Sequence, residues 1–162
     1  PSRAAAVQHL FAAAGFAAAA MSALSARDPA QTVAVVVIDT LGILKQLYAL
    51  ADVALVGGSL LEIRGIGGHN PLEPAAFAKP IQFGPNMKNF RQIEILLLAA
   101  GGAAQVTDAR SIAESLGELL INRELAGRMG RNAHAVFTAN QGAVEKTLAA
   151  ATALIDPADA TP

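Results

Sequence analysis

The sequence predicts an α/β protein built on a doubly wound parallel sheet, and three observations carry that expectation. Two runs, "TVAVVVI" (32–38) and "DVALVGG" (52–58), are aliphatic without polar alternation, as strands buried on both faces of a parallel sheet are. Helix-like stretches separate these runs from each other and from later strand candidates, so strands and helices alternate along the chain. Turn-forming loops follow both runs, "DTLG" (39–42) and a glycine-rich stretch from 57 to 68. Open α/β sheets bind ligands at such loops, beyond the carboxyl ends of the strands.

In chain order, "RAAAVQHLFAAAG" reads as a helix closed by Gly15, with Val7, Leu10 and Phe11 on one face. "FAAAAMSAL" is a weak strand, because alanine has little β preference, and "ARDPAQ" (26–31) is a loop. After the 32–38 strand, "LGILKQLYALA" is a helix, and after the 52–58 strand "PLEPAAFA" starts another. "PIQFG" (80–84) is a short strand, "NFRQIEILLLAAG" a helix ended by Gly101, and "AAQV" a strand. Asp108 is placed to cap "ARSIAESLGELLI". "RELAGRMGRNAHAVFTAN" and "AVEKTLAAATALI" continue as helices, "DPADATP" (156–162) is a frayed tail, and there is no internal repeat.

Composition narrows the function. A chain of 162 residues suits one domain or one lobe of a larger protein. With 53% hydrophobic and 15% charged residues it is no disordered segment, and a net charge of -1 with scattered Lys and Arg offers no field for nucleic acid. The absence of cysteine excludes disulfides and thiolate metal sites, and no His/Asp/Glu cluster has metal spacing. The run from Ala4 to Ala26 lacks charge and ends in "SALSA", which imitates a signal peptide. Its alanines insert poorly, and Gln8, His9, Gly15, Ser22 and Ser25 interrupt it. The chain opens with Pro1 rather than Met, and the preferred expectation is a fragment that starts inside a larger protein.

The densest chemistry lies in "GGHNPLEPAAFAKPIQFGPNMKNF" (67–90). Asn70 is a good N-cap, Pro71 suits the first helical position, and Leu72 and Glu73 follow in the first turn. Glu73 at the third position either closes a capping box or offers its two oxygens to a pair of vicinal ribose hydroxyls. The double glycine before it favours the ligand. Glycines at 57, 58, 65, 67 and 68 would let a ligand approach the backbone, and Gly58, Ser59, Gly67, Gly68 and His69 form a candidate phosphate loop. His69 is equally a structural hydrogen-bonder. "GIGGHN" falls short of a dinucleotide fingerprint, since Asn70 replaces the third glycine and no acidic residue follows at the right distance. His9 and His134 lie in helical patterns, and Asp28, Asp39 and Asp52 sit at element ends where capping and turn roles dominate. No catalytic residue is assigned.

The segments "DTLGIL", "LYALADVALVGGSL" and "GGHNPLEPAAFAKPIQFGPNMKNFRQI" closely resemble the C-terminal half of 3-deoxy-D-manno-octulosonic acid (Kdo) transferases, over about Arg3 to Ile155. The resemblance implies a Rossmann-like lobe of a two-lobed glycosyltransferase-B architecture, with residues 1–155 binding the donor CMP-Kdo. It also implies an inverting transfer to lipid A precursor, without metal or other cofactor, at the cytoplasmic face of the bacterial inner membrane. In that family the cytidine nucleotide meets two segments, which match Leu41, Gly42 and Ile43, and Asn70, Pro71, Leu72 and Glu73 here. Three departures stand out. Ile43 replaces a usual glutamate, "LEIRGIGG" is a few residues longer than the usual connection, and the N-terminal lobe with its general base, acceptor site and a Pro-Arg segment is absent. The chain alone is therefore not expected to turn over. Two rivals are the equivalent lobe of a UDP-sugar enzyme and a non-catalytic remnant of the family, the latter favoured by Ile43.

Overall fold

The computed structural model describes residues 3–24 and 32–141. The loop expected at 26–31 with Asp28, the helix expected at 143–155 and the tail at 156–162 lie outside the described residues. The chain divides into two compact units, Pro1–Gln46 and Leu47–Pro162.

In the first unit, α1 (Ala4–Ala13) forms because alanine loses least on entering a helix. It stops where Gly15 adopts φ +86, the left-handed conformation glycine takes freely. Its ten residues are half of what a membrane span needs, and no helix among the described residues is long and apolar enough to cross a membrane. Strands β1 (Ala18–Ala20) and β2 (Val35–Val37) pair in parallel, Ala18 opposite Val35, and α1 packs on both. The 32–38 run thus yields a three-residue strand, and its two-sided burial is not found. Val35 and Val37 are half-buried, whereas Val36 is 41% exposed. Successive strand side chains alternate between faces, so one helix on the pair leaves every second residue uncovered. α2 (Leu44–Leu50) runs across the division between the units.

The second unit holds a three-stranded parallel sheet in the order β3 (Ala54–Val56), β4 (Ile81–Phe83), β5 (Ala103–Gln105). Ala54, Ile81 and Ala103 lie in one row across it. α3 (Leu72–Ala76) connects β3 to β4, and a 3-10 turn (Lys88–Phe90) leads into α4 (Arg91–Ala99) before β5. α5 (Ala109–Ile121) and α6 (Arg123–Ala139) follow. β4 is central and fully buried, as expected of a parallel strand, but β3 again shows one open face, with Leu55 42% exposed.

Ile81 and Phe83 sit at the middle of the core, against Val56, Met87, Leu97, Ala103, Ala133 and Val136. α6 packs on α3, α4 and β4, and small residues bring it close. A Cβ at Gly130 would lie 2.0 Å from the Ala78 carbonyl oxygen, and one at Gly102 would lie 2.7 Å from Ala133 N. The helix ends follow the sequence. Asp108 accepts from Ser111 N at 2.8 Å in a reciprocal capping box, and Asn122 accepts from Leu125 N at 3.0 Å to start α6.

Candidate functional site

The site residues of the second unit are set by the chain leaving β3. Gly57 and Gly58 carbonyls accept from His69 N at 3.1 Å and Gly68 N at 3.0 Å, which closes residues 59–67 into a loop with adjacent ends. Ser59 is fully buried at the start of this loop. Its hydroxyl donates to Val56 O at 2.6 Å and accepts from Gly84 N at 2.8 Å. This hydroxyl ties β3 to the end of β4, so it faces protein and not a phosphate.

The double glycine has a comparable internal duty. A Cβ on Gly68, at φ +81, would lie 2.4 Å from Met87 Sδ, and one on Gly67 would lie 2.8 Å from Asn89 Oδ1. Here the close approach that glycine permits is to the protein's own chain, and both residues are buried. His69 is exposed, with its ring against Gly57 and Gly58. Of the five residues of the expected phosphate loop, Gly58 and His69 retain accessible surface.

Beyond the loop, Asn70 Oδ1 accepts from Leu72 N at 3.0 Å, and Pro71 has helical φ and ψ, so "NPLE" starts the helix as its sequence predicts. The helix is only five residues long, and its dipole is correspondingly small. Pro71 and Pro74 have no N–H, and Leu72 N is taken by Asn70. Among the described residues the Glu73 N–H therefore remains the one unpartnered donor of the first turn. The capping box is not formed, because the Glu73 carboxylate makes no hydrogen bond or ion pair there. Glu73 is half-buried, with neither oxygen partnered among the described residues, which is the feature a hydroxyl-bearing ligand would need.

Tyr48 is a neighbour that the sequence did not single out. Its ring lies 6.3 Å from that of Phe77, and burial, then the charge of Glu73, hold its phenol above the usual 10.0. Lys79 donates to Ala49 O at 3.0 Å, and Lys88 pairs with Glu62, so these two cations have partners within the protein. Asp52 pairs with Arg123 at 2.7 Å, and His134 Nδ1 lies 3.2 Å from Ala75 O; both act structurally. Among the described residues no group of His, Asp and Glu is placed to hold a metal ion.

Leu41, Gly42 and Ile43 belong to the other unit. Gly42 has φ +85, Leu41 is 84% exposed and Ile43 is half-buried, all just ahead of α2. Asp39 before them accepts from Ser22 N at 3.0 Å and from the Ser22 hydroxyl, which holds its carboxyl below the usual range. This is the turn role expected of it.

No protein-family model matches the chain. It is 36% identical over 121 residues to a 3-deoxy-D-manno-octulosonic acid transferase of Haemophilus influenzae, covering 74% of this chain and 28% of the relative. It is 38% identical over 136 residues to the Bordetella pertussis transferase of the same name, covering 84% of this chain and 31% of the relative. The chain therefore spans under a third of the length of these relatives. Its fold is similar to the C-terminal CMP-Kdo binding domain of WaaA from Acinetobacter baumannii, with a TM-score of 0.73, 27% identity, and coverage of 84% of this chain and 68% of that one. These likenesses in sequence and in fold place the chain in the 3-deoxy-D-manno-octulosonic acid transferase family, as a C-terminal domain of it.

Proposed function

We propose that this domain binds the nucleotide of CMP-Kdo and serves as the donor lobe in transfer of Kdo to lipid A precursor, with release of CMP. The observation that carries the nucleotide site is Glu73, whose half-buried carboxylate has no partner among the described residues. Two vicinal ribose hydroxyls would donate to its two oxygens, and the Glu73 N–H would donate to a further ligand oxygen. The likeness to a CMP-Kdo binding domain supports cytidine as the base. In this reading residues 1–155 are the donor lobe, while the acceptor site and the general base come from another lobe of a full-length enzyme. That enzyme works at the cytoplasmic face of the bacterial inner membrane.

Calorimetric titration of the chain with CMP, with UDP as control, tests the site. CMP is expected to bind more tightly than UDP. Glu73→Ala is expected to weaken CMP about 30-fold, corresponding to about 2 kcal/mol for hydrogen bonds to a charged group. Equal binding of CMP and UDP, unaffected by Glu73→Ala, would overturn the assignment.

A further inference from the structure

The nucleotide assignment leaves the stretch 61–66, "LEIRGI", without a task, although its build is specific. Ile66 N donates to Ile63 O at 2.9 Å across a turn in which Gly65 takes φ +80, and the two isoleucines face each other in an antiparallel bridge. Residues opposite each other in such a pair carry their side chains on one face, so Ile63 and Ile66 stand together. The base of the hairpin is pinned twice, by Gly68 N to Gly58 O at 3.0 Å and by Asn89 N to Gly67 O at 2.9 Å. It is a braced projection, not a loose loop.

The surface of this hairpin is apolar and basic. All six residues are exposed, among them Leu61 at 70%, Ile63 at 47% and Ile66 at 40%. Aliphatic side chains gathered at one loop tip mark a contact surface, unlike the same residues scattered singly. Cations flank them. Arg64 at the turn has no ion pair among the described residues, and Lys88 beside the hairpin pairs with Glu62 in an exposed, weakly held bridge. Arg91, three residues beyond Lys88, is exposed while its partner Glu94 is buried. Three exposed cations are thus set against one exposed carboxylate, in a chain whose net charge is -1.

We infer that this hairpin gives the domain a membrane contact of its own, on an anionic phospholipid bilayer. Leu61, Ile63 and Ile66 enter the interfacial layer, and Arg64, Lys88 and Arg91 lie at the lipid phosphates. A stable protein partner needs about 800 Å² on each side, roughly 20–30 residues, and a six-residue projection supplies only a fraction of that. A bilayer requires no matching shape, only apolar atoms to cover and cations to attract. With three aliphatic side chains the contact is weak and reversible, so it orients the domain without anchoring it. None of residues 41–43 or 70–73 takes part, and the contact does not depend on the nucleotide assignment.

The chain has no tryptophan, so one introduced at the hairpin reports on that place alone. Ile63→Trp is titrated with phosphatidylcholine vesicles and with vesicles containing about 30% phosphatidylglycerol. Ile121→Trp, at an 86% exposed position on α5, is the control. The expected result is a blue shift of Ile63→Trp emission with the anionic vesicles alone, reversed by about 0.5 M salt, and no shift of Ile121→Trp. In sedimentation with the same vesicles, Ile63→Asp is expected to weaken binding about tenfold and Arg64→Ala about fivefold. The inference is overturned if anionic vesicles leave Ile63→Trp unshifted, if Ile121→Trp shifts equally, or if both hairpin substitutions bind as tightly as the parent. It is also overturned if neutral vesicles or free glycerol phosphate produce the same shift. A shift that grows with protein concentration and needs no lipid would replace the bilayer by a second copy of the chain. Ile63→Asp is expected to bind CMP unchanged in calorimetry, and failure of CMP binding would remove the nucleotide assignment while leaving the vesicle result in place.

Discussion

Tyr48 is the chain's single tyrosine, and there is no tryptophan, so its absorbance and fluorescence report on one place in the molecule. Burial is the larger cause of its raised pKa and the Glu73 charge the smaller. A negative neighbour disfavours the tyrosinate, so removing that charge must lower the pKa towards 10.0. Glu73→Gln is therefore expected to shift the alkaline absorbance titration of Tyr48 to lower pH, and CMP is expected to perturb its fluorescence. A titration unchanged by Glu73→Gln would show that the two groups do not sense each other. Much of this site was legible beforehand. "NPLE" announces its cap, its first-turn proline and its carboxylate at fixed spacing, and the structure keeps that order. Ser59 was not legible, because its role is set by Gly84, 25 positions on, and no local pattern encodes that contact.

At the scale of elements, the caps were the most readable features and the strands the least. A cap is a local pact between residues three positions apart, as Asp108 and Ser111 show. The folded Asp108 carboxyl lies below the usual 3.8, held there first by the Ser111 backbone bond. Its contribution is present above the unfolded value and is lost as pH falls through the folded one. Ser111→Ala, which removes one of its bonds, is expected to raise the Asp108 pKa in a carboxyl NMR titration. Strand burial instead depends on what lies over each face, hence the exposed Val36 and Leu55 in runs that read as two-sided. In β4 the reverse occurs. Gln82 is fully buried, and neither its nitrogen nor its oxygen finds a hydrogen-bond partner among the described residues. A buried polar group left unmatched costs about 1–3 kcal/mol, so Gln82→Met, of similar length, is expected to stabilise by about 1 kcal/mol in urea unfolding. Gly130→Ala should act oppositely. The new methyl would collide with the Ala78 carbonyl, a backbone atom that has little freedom to yield, and overpacking of this kind costs about 1–3 kcal/mol.

Across the whole molecule, apolar burial is distributed unevenly. None of the described residues of Pro1–Gln46 is buried, whereas Leu47–Pro162 holds Ile81, Phe83, Met87 and Leu97 at 1% exposure or less. The cause lies in layering. In the first unit α1 packs on the two short strands, whereas in the second α4 packs on β5 and α6 on β4, with α3 and α5 against α6. The alternation of strands and helices was visible in the sequence, but a division near residue 46 was not, since α2 runs across it without a break in pattern. Amide exchange is governed by local opening, which is easiest where few apolar contacts resist it. Native-state hydrogen exchange is therefore expected to be at least about tenfold slower in β3, β4 and β5 than in β1, β2 and α1. Comparable protection in the two sets would mean that the chain opens as one cooperative body despite its uneven core. With the expected outcome, Gln82→Met should slow exchange in the second set alone, because a mutation stabilises the cooperative unit that contains it.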